Sequence, residues 1–170
     1  MACRNCTALV DVHLPANANI IHRNAFESCT AMREIDIPET VKEIHFQAFY
    51  NCGLESVKLP IKLAILGHQT FQASKNLKHA EMPSFVNSES YSYVSSYDYW
   101  GEDSHYWRST TSGLDNVFQD CPTIEEIVMR SATPPSVRND IVTNANAKKN
   151  ITLIVPPMRM PSLSGSHESS

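Results

Sequence analysis

Met32-Arg33-Glu34-Ile35-Asp36-Ile37-Pro38-Glu39-Thr40-Val41-Lys42-Glu43-Ile44-His45-Phe46-Gln47-Ala48-Phe49-Tyr50-Asn51-Cys52 holds one complete unit of the pattern that organises this chain. Its first third is apolar at Met32, Ile35 and Ile37, with Glu34 and Asp36 alternating against the last two. A period of two is the signature of a strand buried on one face. Pro38 ends it, having no N–H to give a ladder. A second extended piece, Val41-Lys42-Glu43-Ile44, follows, and a tight helical turn is expected to carry Ala48 and Phe49. Val41, Ile44, Ala48 and Phe49 are the residues this reading sends inward.

The pattern repeats on both sides. Cys6-Thr7-Ala8-Leu9, Cys29-Thr30-Ala31-Met32 and Cys52-Gly53-Leu54 begin at equal steps along the chain, the third with its position before the leucine deleted. Ser74-Lys75-Asn76-Leu77 begins a single position short of the next such step, and Cys121-Pro122-Thr123-Ile124 closes the series. Pro15, Pro38, Pro60 and Pro83 keep the same beat, as do Phe26, Phe49, Phe71 and Phe118. Several independent columns in phase define an internal repeat. One such unit cannot bury its own apolar face. Stacked copies can, with matching strands ~4.8 Å apart in a parallel sheet.

Leu-x-x-Ile-x-Ile-Pro-x-x-Val-x-x-Ile-x-x-x-Ala-Phe-x-x-Cys, with Met32 at the first place, resembles the BspA-type leucine-rich repeat. The resemblance covers residues 1–83 and 117–131. Ala132-Thr133-Pro134-Pro135 and Leu153-Ile154-Val155-Pro156 look like the way such arrays finish in surface proteins of anaerobic bacteria. It implies an α/β leucine-rich-repeat solenoid, mostly β with short helical turns and a parallel sheet on one face. Residues 1–157 are expected to form that domain, with an inserted loop or hairpin at 84–116 and a disordered tail at 158–170. Cys3 stands where Phe26, Phe49 and Phe71 stand. The chain therefore opens inside a repeat, and Met1 is not expected to begin the mature parent protein, since solenoids carry capping units.

The 170 residues fit one domain, and 42% hydrophobic content suffices for a sizeable core. A net charge of −4 and a pI near 5.9 speak against a nucleic-acid partner. No apolar run reaches the ~18 residues of a membrane helix, and the first residues lack a secretory signal. A cytosolic protein and a piece of an exported chain both fit this, and the repeat phase favours the second. The family resemblance places it at the cell surface or outside the cell.

Cys6, Cys29, Cys52 and Cys121 share one repeat position beside an inward Phe, which suggests a reduced column of small buried hydrophobes rather than disulfides. The Cys3-x-x-Cys6 spacing has no second pair to complete a zinc site. His22 and His45 align, with Gly67 at the third copy, and are read as two solvated turn histidines. No metal and no cofactor are expected.

Two surfaces are candidates for recognition. The outward strand face presents Asp11, Glu34, Ser56, His79 and Glu126 in one column and His13, Asp36, Lys58, Glu81 and Val128 in the next. Glu34 and Asp36 are its candidate contacts. The second surface is the insertion. The step from Pro to Phe is the same from Pro15 to Phe26, from Pro38 to Phe49 and from Pro60 to Phe71. From Pro83 to Phe118 it is longer by about the length of a whole further unit. Five of six tyrosines and both tryptophans fall there. Aromatic anchors among Ser and Gly are what binding loops use. Tyr97, Tyr99, Trp100, Tyr106, Trp107 and Arg108 are its candidate ligand contacts, and a hairpin packed on the repeats is the competing reading. There is no G-x-S-x-G elbow, phosphate-cradling loop or H-E-x-x-H, so no catalytic residue is assigned. The resemblance implies a non-catalytic adhesion module for a protein or glycan of a host or neighbouring cell. A rigid spacer and, less well supported, a glycoside-active enzyme are the alternatives.

Overall fold

The computed structural model describes residues 3–83, 87–93, 106–112, 114–130, 137–138 and 152–154. The tail 158–170 lies outside them. Eleven short strands occur among the described residues: β1 Ile20–Ile21, β2 Glu43–Ile44, β3 Ser56–Lys58, β4 Ile65–Gly67, β5 His79–Met82, β6 Asn87–Tyr93, β7 Tyr106–Ser112, β8 Leu114–Asp115, β9 Glu126–Met129, β10 Val137–Arg138 and β11 Thr152–Ile154. The first extended piece of each unit builds a four-stranded parallel sheet in the order β11-β9-β5-β3. An isolated parallel bridge, His13 to Asp36, marks the same register in the first two units. The second piece builds another sheet, β1-β2-β4-β6-β7, parallel as far as β6. A two-stranded parallel sheet joins β8 and β10. The expected parallel sheet is present, and the second extended piece of the unit forms a ladder of its own.

The expected helical turns are corrected, since no helix occurs among the described residues. The segment from His22 to Cys29 shows why. The amides of Ala25, Glu27 and Cys29 donate within the turn, to the carbonyls of His22, Asn24 and Phe26. The intervening amides of Asn24, Phe26 and Ser28 donate across to Phe46, Ala48 and Tyr50 of the next unit at 3.2, 2.8 and 2.8 Å. A helix needs every N–H for its own axis; here half of them serve a neighbour. Two columns of left-handed residues bend the backbone accordingly, Asn24, Gln47, Gln69 and Asn116 in one and Asn5, Ser28, Asn51, Ala73 and Asp120 in the other. Asn and Asp tolerate that region through local hydrogen bonding. Side-chain amides tie the first column together, Asn24 Nδ2 to Gln47 Oε1 at 3.3 Å and Gln47 Nε2 to Gln69 Oε1 at 3.0 Å.

The core lies between the two sheets and the turns. Phe26, Phe49, Phe71 and Phe118 stack face to face along it, with ring centroids 5.3, 5.5 and 5.7 Å apart. Val41, Ile44, Ala48 and Phe49 are fully buried, as their spacing requires. Both glycines that interrupt the pattern sit where backbones touch. A Cβ on Gly53 would lie 2.1 Å from the Thr30 carbonyl oxygen, and one on Gly67 2.2 Å from the Phe46 nitrogen. Gly67 thus replaces the histidine of the two earlier units because that unit runs too close for any side chain.

Phe49 is stacked on both sides, so Phe49→Ala should cost roughly 3–5 kcal/mol. Urea denaturation measures this, and a loss under ~1 kcal/mol would contradict the stack.

Candidate functional site

The strand face takes its form from the parallel register. Ser56 pairs with His79 and His79 with Glu126, while Lys58 pairs with Glu81 and Glu81 with Val128. Alternation then turns Val57, Ala80 and Ile127 into the core and leaves the two polar columns outside. In the first units the Glu55 amide donates to the Arg33 carbonyl at 3.0 Å, carrying the stack on towards the His13 bridge. A shallow depression of about 490 Å³ opens there, bordered by Asp11, His13, Glu34, Asp36, Ser56 and Lys58. All six are exposed.

Charge is arranged differently along this face. In the later units His79 Nδ1 lies 2.6 Å from Glu126 Oε2, and Lys58 Nζ and Arg130 Nε lie 3.9 and 4.0 Å from Glu81 Oε2. The side chains of Glu81 and Glu126 are about one-third exposed, so these pairs are worth little individually. Asp11, Glu34 and Asp36 have no such pairing within the described residues.

Of the eight candidate contacts, Glu34 and Asp36 fall on this face. Tyr106, Trp107 and Arg108 lie on β7, opposite Tyr93, Ser92 and Tyr91 of β6. β6 begins as an ordinary member of the second sheet, pairing Asn87, Ser88 and Glu89 with Ile65, Leu66 and Gly67. It then runs on and returns antiparallel as β7. The insertion therefore springs from the other sheet, and the structure does not gather the two groups on one sheet. Tyr97, Tyr99 and Trp100 lie outside the described residues.

The cysteine column has a function that the sequence reading missed. Cys29 Sγ donates to the Cys3 carbonyl at 3.1 Å, Cys52 Sγ to Phe26 at 2.8 Å, and Cys121 Sγ to Phe71 at 3.0 Å. Ser74 Oγ makes the same bond, to Phe49, at 3.3 Å. The position calls for a small donor, not merely a small hydrophobe; serine in that place was the available signal. Burial raises the thiols of Cys3 and Cys29 and pushes those of Cys52 and Cys121 up to about 12, so they stay protonated and able to donate. All five cysteines are free, and Cys6 is exposed rather than covered like its column mates. The histidine expectation holds for His22, which is exposed, and is corrected for His45, which is buried, with Nε2 2.8 Å from Glu43 Oε2 and His22 edge-on at 5.7 Å. Among the described residues no three His, Cys, Asp or Glu side chains converge as a metal site would require.

A model described as the BspA type leucine rich repeat region, in six copies, matches residues 1–125. The chain belongs to the BspA-type leucine-rich-repeat family. Its structure is similar to the crystal structure of a leucine-rich repeat protein from Bacteroides ovatus, with a TM-score of 0.57 and 19% identity. That match covers 75% of this chain and 29% of the other, so the chain spans under a third of the Bacteroides protein. At this identity the likeness speaks for the fold alone. No curated protein matches the chain significantly. Among the described residues of this BspA-type chain no helix is long and apolar enough to cross a membrane.

In the native protein Cys6 should react first with a thiol reagent, while Cys52 and Cys121 should wait for unfolding. Cys52→Ser should cost less than Cys52→Val, because only serine keeps the donor; denaturant melts decide. Stability owed to the protonated thiols is fully present below the unfolded value near 9 and is lost as pH rises towards about 12. A Cys52→Ser, Cys121→Ser double variant should therefore show a shallower alkaline decline.

Proposed function

We propose that this BspA-type chain is a non-catalytic binding module of a surface-exposed protein, engaging a protein or glycan of a host or neighbouring cell through its outward strand face. The observation that supports this best is the depression flanked by six exposed polar and charged residues drawn from three successive units. Stacked repeats offer such a face as a rigid, extended platform, so little ordering free energy is lost on binding. The inserted β6–β7 hairpin, with its Tyr, Trp and Ser residues, is the second contact surface in this reading. The family assignment supports an interaction role and a leucine-rich-repeat fold.

An array of glycans and matrix proteins, probed with the intact chain, supplies ligands without bias. Ser56→Trp fills the depression without changing charge and should weaken binding by about 1–2 kcal/mol. Replacing residues 90–111 with a short Gly-Ser link keeps the Asn87–Glu89 stretch that pairs with β4, and should leave the repeats folded. If Ser56→Trp is without effect and the link abolishes binding, the hairpin is the primary surface. If neither matters, the repeats act as a spacer.

A further inference from the structure

We infer that Cys3 and Cys6 form a thiol–disulfide exchange site, at which Cys6 attacks a small aliphatic disulfide and Cys3 resolves the adduct. This site lies apart from the strand face, and its test is independent of that reading. The first unit departs from the repeat at one place. Three residues before the column cysteine or serine, the later units carry Phe26, Phe49, Phe71 and Phe118, whose rings stack. The first unit carries Cys3 there, so a thiol replaces the ring and a Cys-x-x-Cys sequence results. Cys6 departs from its column too. Cys29, Cys52 and Cys121 each donate to a carbonyl of the unit before. Cys6 is exposed, and its sulfur lies 4.0 Å from the Arg4 carbonyl of its own turn.

The turn holds the two cysteines ready to join. The Cys6 amide donates to the Cys3 carbonyl at 3.2 Å, and Asn5, at φ 61°, takes the left-handed place of the β-turn so closed. The ends of such a turn lie within about 7 Å, and a disulfide spans about 4.4–6.8 Å between Cα atoms. Contacts with the second unit keep the turn in that form. The Cys3 amide donates to the Ala25 carbonyl at 2.9 Å and the Asn5 amide to the Glu27 carbonyl at 2.7 Å, while Arg4 Nε lies 2.8 Å from Glu27 Oε2. Burial, then the charge of Cys6 and a side-chain hydrogen bond with it, raise the Cys3 thiol. The last two causes vanish once Cys6 is in a mixed disulfide, and Cys3 then ionises more readily. In the first step the Cys6 thiolate attacks one sulfur of R–S–S–R; the Cys6–S–S–R bond forms and RS⁻ leaves. Cys3, as thiolate, then attacks the Cys6 sulfur; the Cys3–Cys6 bond forms and a second RS⁻ leaves. The protein dithiol is oxidised by two electrons, the disulfide is reduced to two RSH, and the protons of Cys3 and Cys6 pass to the leaving thiolates. Closure within a held turn makes the second step unimolecular, which favours it over attack by a thiol from solution.

The test mixes the whole reduced chain with glutathione disulfide, quenches with acid and reads intact mass. The parent should lose two hydrogens and release two glutathiones per chain, with no lasting adduct. Cys3→Ser should stop at a glutathione adduct on Cys6, and Cys6→Ser should lose the reaction under native conditions. Cys3→Phe, which restores the residue of the other units, should fold as the parent does and stop at the same adduct. Trypsin cuts after Arg4 and Arg23, so the expected disulfide joins residues 1–4 to residues 5–23. No reaction of the parent, an adduct that persists on it, or release undiminished in Cys6→Ser would overturn the inference. So would full turnover by Cys3→Phe, or a disulfide that joins residues 5–23 to the Cys29 peptide, residues 24–33.

Discussion

Alternate amides of each turn point out of their own unit and into the next, and the rest of the structure depends on that one constraint. Asn24, Phe26 and Ser28 bond to Phe46, Ala48 and Tyr50; Gln47, Phe49 and Asn51 bond to His68, Thr70 and Gln72. A unit of constant length, give or take a single position, is what returns the chain to the same place one layer on. With the layers locked at backbone level, each Phe lands over the last, and the carbonyl beside it faces the Cys or Ser of the following unit. Backbone groups buried in the turn are thereby satisfied, as buried polar groups must be. The donor on the sulfur or hydroxyl column closes a contact that an apolar residue of equal size would leave open.

Locking the layers also fixes what faces solvent. The same register that buries Val57, Ala80 and Ile127 presents the polar columns. A one-residue slip would exchange the two faces, so the strand face is held as firmly as the core. The inserted hairpin obeys the same rule at its base, where Asn87–Glu89 occupy an ordinary place beside β4 before the strand runs on. The fold accepts the insertion because it leaves the stack after a paired position and rejoins at Asn116, where the turn column resumes with its left-handed residue.

Much of this was legible in the sequence, and the losses have physical causes. Period-two alternation and the Cys, Pro and Phe columns sufficed for the repeat, the inward residues and the register of the strand face. The turn was misread as helical because Ala48-Phe49 with flanking polar residues looks the same in a helix and in a left-handed turn; Asn and Gln recurring at positions 24, 47, 69 and 116 were the discriminating sign. The second sheet was missed as a sheet because Ile20–Ile21 and Glu43–Ile44 are too short for periodicity to register. Glu43 beside His45 is a contact between near neighbours that turn geometry alone creates. For the candidate site, the sequence placed Glu34 and Asp36 on an outward column, but the contacts of Glu81 with Lys58 and Arg130 and of Glu126 with His79 come from the register of the units and show only in the structure.

Native-state hydrogen exchange, resolved by residue, tests the central claim most directly. The amides of Phe26, Ser28, Phe49 and Asn51 lie in turns, where exchange is ordinarily fast. If they join one unit to the next, they exchange as slowly as the amide of Leu59, which bonds across the strand sheet to Glu81 at 3.0 Å, and only through global unfolding. Exchange of these four at the rate of exposed loop amides, with Leu59 still protected, would contradict the account.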